Sequence, residues 1–306
     1  MSNNNGRNSA SEEAILFSRG LIEHFNFQVG LYKIKNTHKT YTTDPRGLMI
    51  VGQPGVGKSR LALVYRSKYA KESTDERDCN TVLLVEMPSS CSIDWFYTKI
   101  LSALGDLDPQ AGRAAHKEHR ILQLFKTQGV ELLIIDEIHN LLPGDITGAQ
   151  TRKIATTIKS LMNQTKVPIV LMGEERATAL MSIEKAIESR FKTIYRLTNM
   201  GYKTPDERKY FKEYLSSVQA LLTTSCVDFC SDDFALRMHA ASAGNVREIK
   251  HIITECIGSL RKDQTTIDVE IFAYVFSEMG SNPLKLKENP FSINIAKLSK
   301  LVGLEV

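Results

Sequence analysis

A strand-loop-helix transition near residue 50 restricts this chain more than any other stretch. The apolar run Gly47 to Val51 leads into Gly52-Gln53-Pro54-Gly55-Val56-Gly57-Lys58-Ser59, which matches G-x-x-x-x-G-K-[ST], and a helical pattern follows from Arg60 to Ala70. Glycines at 52, 55 and 57 let the backbone turn its N–H groups inward around phosphate oxygens, and the helix N-terminus adds a positive dipole end. Lys58 neutralises β- and γ-phosphate charge, and Ser59 offers an oxygen to Mg²⁺. The stretch Gly52 to Arg60, including Gln53, Pro54 and Val56, is therefore the expected cradle for ATP. A plain glycine-rich turn is the bland alternative, and the strand before it and the helix after it argue against that reading.

A second segment supplies what a phosphate loop lacks. Glu131-Leu132-Leu133-Ile134-Ile135-Asp136-Glu137 is an apolar strand ending in two carboxylates. Asp136 is expected to help hold Mg²⁺, and Glu137 to orient and polarise an attacking water. Two further runs, Thr81 to Glu86 and Val167 to Met172, have the same buried-strand character, and each is followed by a helical pattern. This alternation predicts an α/β fold of the P-loop NTPase type, a parallel sheet covered on both faces. The strands of the two motifs are neighbours only if another strand, here Thr81 to Glu86, is inserted elsewhere in the sheet order.

Beyond about residue 200 the strand-like runs stop. Three helices are expected between Tyr202 and Lys262: Thr204 and Pro205 begin the first, Ser231 caps the second, and a third follows Gly244. The organisation reads as an N-terminal helical extension (residues 1–46, with a helix from Glu12 to His24 whose apolar faces include Leu21), an α/β core (47–200), a small helical lid (201–266) and a C-terminal helix with a partner-binding tail (267–306). At 306 residues, 42% hydrophobic and 24% charged, the chain is neither disordered, collagenous nor a membrane bundle. The polar N-terminus lacks a signal-peptide core, and the five cysteines (Cys79, Cys91, Cys226, Cys230, Cys256) include no C-x-x-C pair. Both point to reduced thiols, a cytoplasmic protein and no membrane partner.

The order of motifs resembles an AAA+ ATPase. Ser189-Arg190-Phe191 is similar to the arginine-finger box, which implies that Arg190 reaches the nucleotide of an adjacent subunit. Gly244-Asn245-Val246-Arg247 looks like the sensor-2 motif, which implies a contact from Arg247 to the γ-phosphate in cis. The pattern departs at sensor 1, where a polar residue commonly ends the fourth strand. Here Met172 is followed by Gly173-Glu174-Glu175.

Within that class the chain most resembles the TniB/TnsC family of transposition regulators, through Val130 to Asn140 (VELLIIDEIHN), Val167 to Gly173 (VPIVLMG), Arg190-Phe191 and Asn289-Pro290-Phe291. The resemblance implies ATP-dependent assembly on duplex DNA as a homo-oligomer, a ring or a helical filament, that bridges a target-selection protein and a DDE transposase. His139, just past the acidic pair, either communicates nucleotide state or packs locally.

The formal charge of +4 says little about a polyanion partner unless the basic residues cluster. Arg113, His116, Lys117 and Arg120 are spaced to share one helical stripe, with Ile121, Leu122 and Phe125 broadly on another side. Arg113, Lys117 and Arg120 are the expected DNA contacts, through phosphates. A second basic run, Lys185 to Lys212, overlaps Arg190. A replication or helicase-loading ATPase shares every nucleotide motif, a small-molecule kinase shares the phosphate loop, and a slow-turnover ATP-dependent scaffold is also compatible.

Overall fold

A computed structural model describes residues 5–20, 22–69, 73–74, 77–89, 92–142, 148–183, 185–260 and 264–303. Leu21, Ala70, Cys91 and Lys262 of the expectations above lie outside it. The chain divides into two compact units. One runs from Asn26 to Thr198, and the other joins the N-terminal segment up to Phe25 with everything from Asn199 onward.

The first unit is built on five strands: β1 (Gly47–Val51), β2 (Val82–Glu86), β3 (Leu132–Asp136), β4 (Ile169–Gly173) and β5 (Thr193–Arg196). Their order is β2-β3-β4-β1-β5, and every pairing is parallel. β1, β3 and β4 are buried at every position, as continuous apolar runs covered by helices must be. Val82–Glu86 does lie elsewhere, at the sheet edge, but that condition is not sufficient for the two motif strands to be neighbours, because β4 lies between β1 and β3. β5 was not anticipated. Thr193-Ile194-Tyr195-Arg196 sits at the sheet edge with only partial burial, so it carries no apolar run to betray it.

Helices α3 (Lys58–Ser67), α4 (Ile93–Ala103), α5 (Ala114–Gln128) and α6 (Ala149–Thr165) belong to this unit. They are preceded in the chain by α1 (Asn5–Arg19) and α2 (Phe25–His38). The expected helix from Glu12 to His24 is thus replaced by one that stops at Arg19, and α2 is an element the sequence reading missed. Its buried positions, Phe27, Leu31, Ile34 and His38, recur at helical spacing.

The second unit contains α7 (Pro205–Gln219), α8 (Asp232–Ser242), α9 (Val246–Gly258), α10 (Val269–Glu278) and α11 (Ile295–Leu301). Thr204 and Glu207 close a capping box at the start of α7, and the Ser231 hydroxyl accepts the Phe234 N–H at the start of α8. Ser225–Cys226 and Thr266–Ile267 pair as a short parallel ladder, so strand structure does not end at residue 200.

The N-terminal helix is part of this unit. Phe17 is buried in its core, Lys250 Nζ donates to the Ser18 and Gly20 carbonyls, and Glu13 accepts the Thr223 and Thr224 N–H groups. The segment expected as a partner-binding tail also packs here: Phe291, Ile293 and Leu298 are buried, and Phe291 stacks on Phe272 at 5.3 Å. The aromatic cluster needs that cover, and Arg237 Nη1 pins it by donating to the Pro290 and Ile293 carbonyls. Phe291, Ile293 and Leu298 thus pack back on their own unit, the alternative to docking a partner that the tail's apolar residues also allow.

Among the described residues no three His, Cys, Asp or Glu side chains are grouped to hold a metal, and no helix is long and apolar enough to cross a membrane.

The turn into α9 is sterically exacting. Gly244 has φ +69°, its carbonyl accepts the Met200 N–H, and a Cβ there would stand 1.9 Å from the Met200 oxygen. Gly244→Ala should therefore cost about 3 kcal/mol or more through strain and displaced backbone. Denaturant unfolding checks this, and an unchanged midpoint contradicts it.

Candidate nucleotide site

The phosphate loop begins where β1 ends. Gly52 N–H donates to the Gly173 carbonyl at the end of β4 (3.2 Å), and a Cβ at Gly52 would lie 2.2 Å from the Leu197 oxygen. Only glycine fits between those two backbones. Gly57, at φ +101°, then turns the chain into α3 with no side-chain cap, leaving the first N–H groups of the helix directed toward the loop.

Lys58 is buried, and its ammonium donates to the Gly52 and Gln53 carbonyls at 2.8 and 3.0 Å. The loop is thus held closed across its own mouth by the charge that a triphosphate can take over. Gln53, Pro54, Ser59 and Arg60 are exposed.

Asp136 ends β3 at 4% exposure. Its Oδ1 accepts the Glu137 N–H at 2.8 Å, and its carbonyl accepts the Met87 N–H. Glu137 adopts left-handed backbone, φ +55°, an uncommon conformation for this residue type. That turn swings the chain from the strand into a short helical turn, Ile138–Leu141. Asn140 Nδ2 ties the turn to the Met87 carbonyl (2.9 Å), and His139 lies against the end of β4. The loop, both carboxylates and Glu174 are all placed at the C-terminal ends of the parallel strands, where ligands of such sheets bind.

The structure does not bring Arg190 to this end. Its carbonyl accepts the Gly47 N–H at the start of β1, the opposite end of the strand from the loop. Its guanidinium donates to Asp44 Oδ1 at 2.8 Å and to Asn163 Oδ1 at 3.2 Å. It borders a cavity of about 360 Å³ also lined by Lys33, Asp44, Arg46 and Lys192. Neither Asp44 nor Asn163 stood out in the sequence, because each is paired with Arg190 only through the tertiary fold. Arg247 belongs to the other unit, in the first turn of α9, where its N–H donates to the Asn245 cap at 3.0 Å.

Two of the cations of the expected basic edge on α5 are taken up within the unit, whereas Arg113 and His116 remain exposed. Lys117 is 2% exposed and donates to Asp94 Oδ2 at 2.7 Å and Thr98 Oγ1 at 2.9 Å on α4. Arg120 is taken up by Asp106 and by the Asp108 and Ala111 carbonyls. Steps of four explain the error: Lys117, Ile121 and Phe125 share one stripe, and that stripe is the buried one. Arg113 precedes the helix as its N-cap and is exposed.

Comparison with known proteins is consistent with this geometry. A family model described as "Bacterial TniB protein" matches residues 20–199, more than half of the chain. The chain belongs to the TniB family. No curated protein matches it. Among solved structures it is similar to Cdc6p from Pyrobaculum aerophilum (TM-score 0.63, 13% identity, covering 85% of this chain and 69% of that one). It is also similar to the Aeropyrum pernix ORC2 protein in ADPNP–ADP complexes (0.61, 12%, 87% and 71%). A third likeness is to the Aeropyrum pernix ORC1 protein in complex with DNA (0.59, 14%, 84% and 66%). The fold of this TniB-family chain is that of AAA+ P-loop ATPases, and the chain is a nucleotide-binding ATPase.

The pairing that takes up Lys117 is open to test. Asp94→Ala strands a buried ammonium and should lower stability by about 3 kcal/mol, more than Lys117→Met, which keeps the volume and removes the charge. Urea titration of both variants measures the difference, and equal losses would contradict it.

Proposed function

We propose that this chain is an ATP-dependent regulator of DNA transposition that assembles with copies of itself on duplex DNA and links target selection to a DDE transposase. The observation that carries the proposal is the family match across the whole nucleotide-binding unit, together with a complete loop-and-carboxylate site at the strand ends. The DNA-bound structure of the similar ORC1 protein supports DNA as the ligand of the assembly.

The residues fit a nucleotide in a physical sense. The glycine at 52 leaves no room for a side chain, and Lys58 offers a buried ammonium. The loop and α3 N–H groups cradle the phosphates, and Lys58 exchanges its carbonyl partners for phosphate oxygens. Ser59 and Asp136 would hold Mg²⁺, whose bound charge offsets that of the β- and γ-phosphates. Glu137 orients the attacking water and takes its proton. Arg247 serves the γ-phosphate in cis.

Arg190 acts in trans, on the nucleotide of the neighbouring copy. A cation at the far end of β1 cannot serve its own loop, so hydrolysis depends on assembly. ATP favours the DNA-bound oligomer by binding it better than the free chain, and hydrolysis favours release. Of the three basic residues first considered for DNA, Arg113 alone remains exposed for that role.

A second reading, a loader acting in DNA replication, shares every nucleotide motif, and the likeness to Cdc6p and ORC2 at 12–13% identity supports the fold that both readings need. Electron microscopy of the purified chain with duplex DNA and ATP, a non-hydrolysable analogue or ADP should show oligomers on DNA with the first two and free subunits with ADP. Stimulation of a transposase, rather than association with a helicase, separates the two readings. Monomers in every condition would defeat both.

A further inference from the structure

Among the described residues, His139 is the one buried ionisable side chain at the strand ends to which the reaction above gives no task. It is 6% exposed and sits where three parts of the site meet. Its Nδ1 accepts the Glu174 backbone N–H at 3.2 Å, and Nε2 stands 3.3 Å from Glu137 Oε2 and 3.6 Å from Glu174 Oε1. A Cβ at Gly173 would lie 3.1 Å from Nδ1, so glycine there leaves the ring its place against β4. The carbonyl of that same Gly173 anchors Gly52.

The accepted N–H fixes the ring chemistry. A nitrogen that accepts a hydrogen bond carries no proton, so the neutral imidazole has its hydrogen on Nε2, the atom that faces the two carboxylates. The position that commonly carries a polar sensor residue at the end of the fourth strand is occupied here by glycine, then glutamate. No Asn, Thr or Ser is available from β4 to set the carboxylate that meets the water.

We infer that His139 is a positioning residue for hydrolysis: clamped by the Glu174 N–H, its Nε2–H sets the Glu137 carboxylate and ties it to the end of β4. The contact to Glu137 shortens as nucleotide orders the site, as catalytic hydrogen bonds often do. Because β4 also holds the first residue of the phosphate loop, the water-activating group and the phosphate cradle share one support. The inference rests on the assignment of Glu137 as the group that activates water.

The test uses the full chain with duplex DNA, steady-state ATP hydrolysis and binding of a non-hydrolysable ATP analogue. His139→Ala should lower kcat by about 10- to 100-fold, the penalty of a misplaced catalytic group, with KM and analogue affinity changed less than about twofold. Two near-isosteric variants separate the ring's two contacts and keep the test decisive if the alanine variant does not fold. Gln can place an amide N–H near the Nε2 position, whereas Asn reproduces only the Nδ1 side. His139→Gln should recover most of kcat and His139→Asn should not.

In a Glu137→Gln background, His139→Ala should have no further effect. A wild-type kcat in His139→Ala and His139→Asn, a loss confined to KM, or equal rescue by Asn and Gln would overturn the inference. Full turnover by Glu137→Gln alone would instead overturn the role of Glu137 on which it stands.

Discussion

The Gly52 N–H to Gly173 carbonyl bond joins the phosphate loop to the strand that separates it from the carboxylates. It forms only because β4 lies between β1 and β3 and because nothing larger than glycine fits beside Leu197. The three central strands are apolar on both faces, so their order and register are set by burial. The polar ends of β1, β3 and β4 are thereby fixed at one rim. The loop, Asp136, Glu137 and Glu174 inherit their positions from a sheet core that water does not reach.

What could be read from the chain follows from which constraints are local. The phosphate loop and the four apolar strands are contiguous patterns, and the caps at Thr204 and Ser231 are single-turn chemistry. Strand order is not local: nothing within Leu132 to Asp136 states that Ile169 to Gly173 will lie beside it. β5 escaped notice because an edge strand with half-exposed side chains has no apolar run. Lys117 departs from its expected place for a different reason. A helical stripe can be drawn through any residues three or four apart, and only the positions of Ile121 and Phe125 show that this one faces inward. The tail likewise presented apolar anchors without saying what they cover. The aromatic rings of Phe229, Phe234 and Phe272 answer that. The junction at His139 is hardest of all to foresee, since it joins residues 35 apart in sequence through a ring nitrogen and a backbone N–H.

Under the proposed trans role, Arg190 marks the boundary between what one copy contains and what it needs. In the single chain its guanidinium is held by Asp44 and Asn163, and its carbonyl fixes the start of β1. A half-exposed arginine bonded to an exposed aspartate is weakly held, since such pairs contribute little in water. The proposed redirection to a phosphate of a second copy therefore costs little on this account. Under that role, hydrolysis by the free chain is expected to be slow and hydrolysis by an assembly faster.

Mixing two defective variants tests that dependence most directly. Arg190→Ala keeps a complete loop and Glu137, and Glu137→Gln keeps Arg190, so each should be nearly inactive alone on duplex DNA. Equimolar mixing should restore a measurable share of wild-type ATP turnover, because Arg190 of one copy completes the site of the other. Wild-type turnover by Arg190→Ala alone, or a mixture no faster than its components while both variants still co-assemble, would contradict the account.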